Sequence, residues 1–161
     1  AKMEERCLRL CPSYGRQFAP QLLPLPGGDV LVLWQDARHQ EQGEGIALYG
    51  QRVTPGGNIK WSLAGQFLAG GIPENKAIAA RLARQDGSLE LELYLSVPQG
   101  DTLRQIVRQR HSLATGGMHG KKLLAPSPYP QRSPRLAGPV LLWVEEQEQG
   151  DAIVSWMLDA E

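Results

Sequence analysis

The chain has no net charge: its 161 residues carry 17 Lys and Arg against 17 Asp and Glu. Nucleic acid and anionic lipid are captured by clustered basic residues, so neither partner is expected. Long apolar runs are also missing. The longest, around Val30 to Trp34 and Val140 to Val144, fall far short of the ~20 residues that cross a bilayer as a helix. A transmembrane helix is excluded on that count. Residues 1–6 hold no apolar stretch of the secretory type, which leaves the compartment open at that end.

Cysteine is scarce. Cys7 and Cys11 are the two present, and on one strand their Cα atoms would stand about 13 Å apart, beyond the ~7 Å that a disulfide can bridge. Neither lies in a zinc-type Cys/His pattern, so Cys11 reads as a small buried residue. The three histidines, His39, His111 and His119, lack any metal-ligand spacing and read as solvated turn residues. Neither a G-x-S-x-G elbow nor a G-x-x-x-x-G-K-[ST] phosphate loop occurs. The expectation is a non-enzyme with no catalytic residue, no metal and no cofactor.

Glycine and proline are plentiful instead, with 18 and 12 residues spread along the whole chain. Such frequent punctuation between short apolar runs belongs to an all-β chain. Internal similarity then suggests the architecture. The segment from Leu10 to Leu22 aligns without gaps on that from Leu124 to Leu136, six of thirteen positions being identical at an offset of 114. Halfway between them, Leu68 to Leu82 fits as a middle copy with two extra residues.

The extended runs ending in Trp34, Tyr94 and Trp143 follow in the same order, and Gln51-Arg52 lines up with Gln109-Arg110. Leu89, Leu91, Leu93 and Leu95 alternate with Glu90, Glu92 and Tyr94, which is the period of a strand. The first and third copies are apolar on both faces, and so are expected to be the more deeply buried. Residues 102–110 read as strand rather than helix, because the aligned copy contains Gly50 and ends in a Pro/Gly turn. The expected fold is therefore all-β: three propeller-like blades of four antiparallel strands, in units of about 12–69, 70–125 and 126–161 plus 1–11. The N-terminal segment, Arg6 to Cys11, would be the strand that completes the last blade and hides two open edges.

Several features of the first unit carry a family resemblance. They are Gln17 with Pro20, the run from Gly27 through Trp34, Asp36 and Arg38, the run from Ile46 to Val53, Gly57 with Trp61, and Gly65. Together, over about a third of the chain, they resemble the bacterial extracellular propeller repeat that recurs in large secreted proteins. The other units depart from it: Tyr94 stands for Trp34, Ser96 or Glu145 for Asp36, and Trp61 has no aromatic counterpart in the second. The resemblance implies a secreted or envelope-exterior, non-catalytic binding or structural propeller.

Three blades are fewer than a typical ring holds, so a second copy or a protein partner is expected to complete it. Rim residues Asp36, Arg38, His39, Glu145 and Glu146, in polar loops after the second strands, are the candidate ligand contacts. The competing assignment is that Asp36 caps a turn and Arg38 pairs with a carboxylate or carbonyl of a neighbouring blade. A glycan-active or glycan-binding propeller is the alternative function, either sialidase-like through Tyr14, Tyr49, Tyr94 or Tyr129 with a carboxylate and arginines, or a lectin through its tryptophans. Inter-blade packing is the structural assignment for Trp34, Trp61, Trp143 and Trp156.

Overall fold

In the computed structural model, which describes residues 8–11, 14–74 and 76–158, the chain forms eleven antiparallel strands in three sheets. The first sheet is a meander of β1 (Gln17–Pro24), β2 (Val30–Asp36), β3 (Ala47–Val53) and β4 (Gln66–Ala69). The second holds β5 (Ala79–Gln85), β6 (Ser88–Gln99), β7 (Leu103–Ser112) and β8 (Met118–Leu123). The third holds β9 (Gln131–Ala137), β10 (Val140–Gln147) and β11 (Gly150–Met157). Local chemistry explains the hairpins. Asp86 and Gly87 both sit at positive φ (49° and 81°) between the paired Gln85 and Ser88, as a two-residue loop matching the strand twist requires.

The third sheet has three strands among the described residues. Of the segment expected to supply its fourth, residues 6 and 7 lie outside the description. The described part, residues 8–11, forms no strand; Leu10 and Cys11 lie beside Val32 and Trp34 of the first sheet instead.

The sheets stack in chain order. Leu31, Leu33 and Leu48 of the first pack on Leu91, Leu93, Leu95 and Val107 of the second. The other face of the second carries Tyr94 and Ile106 against Leu141 and Trp143 of the third. Expected burial is thereby inverted. The middle sheet, whose alternating Glu residues suggested a solvated face, is covered on both sides, whereas the third turns one apolar face outward. Glu92 is only 1% exposed. It is tolerated there because Arg81, Arg110 and Tyr94 all donate hydrogen bonds to it.

Pairing also shifts the middle copy by one residue. Gln51 stands opposite Val32 and Gln109 opposite Leu93. Matching the two Gln-Arg pairs therefore sets Leu95, not Tyr94, at the position of Trp34, and alternation sends Tyr94 to the opposite face. The first and third sheets agree more closely. Ala19 (φ 51°) and Ser133 (φ 55°) each fall at a break in strand register. Gln17 pairs with Asp36 as Gln131 pairs with Glu145.

Candidate functional site

Asp36 closes β2 and Arg38 follows in the turn, two residues on, so their side chains meet on the face that carries Trp34 and Tyr49. Arg38 donates to Asp36 Oδ1 from its backbone N (2.9 Å) and Nε (3.0 Å), and to Oδ2 from Nη2 (2.8 Å). Trp34 Nε1 donates to Oδ2 at 2.9 Å. Nη2 also reaches the Ala64 carbonyl at 2.8 Å and the Cys11 sulfur at 3.1 Å, while the guanidinium lies 3.7 Å over the Tyr49 ring.

Burial alone would raise the Asp36 carboxyl, but bonds from Arg38 and Trp34 and the Arg38 charge hold it below its ordinary range. Arg38 moves the other way: burial disfavours its charge, and Asp36 more than compensates. Both residues thus lock the end of β2 to the β3–β4 connection. Arg38 pairs within its own sheet rather than with a neighbouring one.

His39 is half-buried and its Nδ1 lies 3.2 Å from Gln42 Oε1, at the start of a 3-10 turn, Gln40–Gln42. Glu145 and Glu146, expected in a loop, belong to β10, which runs on to Gln147. Burial opposes the charge of Glu145, yet bonds from Gln147, Gln131 and Ser127 hold its carboxyl low. Glu146 accepts from Arg132 Nε at 2.7 Å, and Arg132 Nη2 reaches Asp151 at 2.6 Å. The five candidates do not converge. Asp36, Arg38 and His39 belong to the first sheet and its turn, Glu145 and Glu146 to the third, and the second sheet packs between them.

A tyrosine, a carboxylate and two arginines do meet, at Tyr94, Glu92, Arg81 and Arg110. The Tyr94 hydroxyl donates to Glu92 at 2.7 Å, and Arg81 and Arg110 bond it at 2.8 and 2.9 Å. Tyr94 and Glu92 are both buried. Burial, then the bond to Glu92 and its charge, push the phenol far above its ordinary value, the reverse of what an activated nucleophile needs. Trp34, Trp61 and Trp143 are buried as well, Trp61 and Trp143 within the inter-sheet cores, which leaves Trp156 at 38% exposure as the accessible indole.

His111 departs from the turn assignment. It lies in β7, fully buried, with Nδ1 2.8 Å from the Gly116 carbonyl and Nε2 3.0 Å from the Gln109 amide. Burial lowers its pKa, against a smaller opposing effect of the Gly116 bond. His119, in β8, reaches Glu90 at 3.1 Å. Among the described residues no three His, Cys, Asp or Glu side chains cluster to hold a metal, and no helix is long and apolar enough to cross a membrane.

One concavity went unseen in the sequence. A cavity of about 300 Å³ opens between the second and third sheets, walled by Pro73, Ala77, Tyr94 and Pro134, with Lys76 and Arg104 beside it. No protein family, curated protein or solved structure matches the chain.

Proposed function

We propose that the chain is a non-catalytic, propeller-like structural or binding module whose outer sheet faces pack against further sheets, supplied by a second copy of the chain. The observation that carries this reading is the open face of the third sheet. There Val140, Leu142 and Val144 stand opposite Met157, Ser155 and Ile153. Ile153 is 78% and Met157 68% exposed. Contiguous apolar surface on a sheet is characteristic of a protein-protein contact.

The first sheet is complementary in kind. On its outer face Leu22 is 69% and Phe67 51% exposed, at the margins of Trp34 and Tyr49, which are buried under Arg38 and beside Leu10 and Cys11. Trp143 occupies the corresponding place in the third sheet, and there the second sheet covers it. Continuing the same stacking would set the outer face of one third sheet on the outer face of another copy's first sheet. That contact is head-to-tail, and closes only as a ring. An exterior location rests on the resemblance of the first unit to secreted propeller repeats, and Gln17, Pro20, Asp36 and Arg38 are the residues that carry it.

Sedimentation equilibrium tests the reading. Self-association that is lost when Ile153 and Met157 are both changed to Lys is the expected result, with circular dichroism unchanged. A monomer at every concentration would contradict a second copy as the occupant.

A further inference from the structure

From the cavity between the second and third sheets we infer a binding site for a small organic carboxylate with a compact apolar body. The walls come first. Pro73, Ala77, Tyr94 and Pro134 make the lining mainly apolar, and about 300 Å³ lies at the small end of the range in which proteins bury small ligands. The strained residue Ser133 (φ 55°) belongs to this wall, at the break in β9–β10 register. Bulges of this kind re-aim side chains beside sites.

Charge comes second. Arg104 is half-buried at the cavity, and each of its hydrogen bonds goes to a neutral group. Nη2 donates to the Gly71 and Ser96 carbonyls at 2.8 and 2.7 Å, and Nε to the Ser96 hydroxyl at 3.3 Å. No carboxylate pairs with it among the described residues, and its Nη1 makes no hydrogen bond there. The guanidinium is thus held rigidly by backbone while its charge stays unmatched. Burial with no acid alongside pushes Arg104 below the usual arginine range.

Lys76, exposed at the same cavity, has no ion pair among the described residues either. Arg132, at the far wall, is engaged by Glu146 and Asp151. Among the described residues no Asp or Glu lines the cavity. Nη1 keeps its N–H donors, and a carboxylate accepts from such a charged donor at short distance. Apolar walls favour an anion with a hydrocarbon body over a strongly hydrated inorganic ion.

The test is an NMR titration of amide resonances with benzoate, against benzamide as the neutral isostere and inorganic phosphate as the anion without a hydrocarbon body. Benzoate is expected to shift the amides of Lys76, Ala77, Ser96 and Arg104 saturably, with benzamide and phosphate at least about tenfold weaker. Arg104→Gln is expected to abolish the shifts. Since Arg104 also ties Gly71 to Ser96, that variant could lose its fold, and two exposed changes decide the matter independently. Lys76→Gln should weaken benzoate several-fold, and Ala77→Phe, which fills the cavity mouth, should abolish binding, both with unchanged thermal melts. Benzamide binding as tightly as benzoate, benzoate shifts that persist in Ala77→Phe, or no saturable shift at all would overturn the site.

Discussion

Tyr94 and Glu92, two residues apart on one strand, share a 2.7 Å hydrogen bond sealed between the second and third sheets. The carboxylate accepts from three donors, so its removal strands two arginines. Glu92→Ala is expected to destabilise the fold by about 3–5 kcal/mol, the cost of breaking a buried pair. Tyr94→Phe, which removes one donor to a charged group, should cost about 2 kcal/mol. Urea unfolding monitored by circular dichroism measures both.

The same carboxylate sets an acid response. Burial raises the Glu92 pKa, but bonds from Tyr94, Arg110 and Arg81 outweigh it and hold the group below its ordinary 4.5. A depressed folded pKa means stability that is present above 4.5 and lost as pH falls through the folded value. Glu92→Gln should flatten the unfolding midpoint against pH over that acid window. An unchanged slope would show that Glu92 is not the group responsible.

His111 acts in a different window. Its folded pKa lies below the ordinary 6.5, so the unfolded chain takes up a proton first as pH falls. Stability is therefore complete above 6.5 and declines from there towards the folded pKa. His111→Gln should remove the decline just below 6.5 while leaving the more acidic limb in place, as read from urea midpoints across the pH series.

Gly65 and Gly43 separate two costs of replacing glycine. Both have positive φ, 94° and 79°. A Cβ at Gly65 would lie 2.6 Å from the Trp34 ring, whereas at Gly43 it meets nothing within 4 Å. Gly43→Ala should cost the backbone strain alone, about 1 kcal/mol. Gly65→Ala should exceed it by about 2 kcal/mol or more, because Trp34 is fixed by Asp36 and cannot retreat.

Much of the strand layout was legible. The run from Val30 to Trp34 became β2, extended only to Asp36, and residues 102–110 became β7 rather than a helix. A structural role for Asp36 and Arg38 was readable, but the partner of Arg38 was not: expected on a neighbouring blade, it is Asp36 itself, two residues back and 2.8 Å from Nη2. What alternation could not show was which face is covered. Glu90, Glu92 and Tyr94 share a face by period two, yet Arg81 and Arg110 reach Glu92 from neighbouring strands, and that depends on register set by the whole sheet. His111 was missed likewise: Gln109 lies two residues back on the same strand, but the Gly116 carbonyl reaches the ring only through the conformation of the β7–β8 connection. The cavity at Arg104 joins Pro73, Lys76 and Ala77 to β6, β7 and β9, which no local motif links.

Class averaging of purified particles by electron microscopy, counting sheets around the axis, addresses the stacking of copies most directly. Three sheets per chain and two copies predict rings of six, replaced by three-sheet particles when Ile153 and Met157 are both changed to Lys. Three-sheet particles from the unaltered chain would contradict the account.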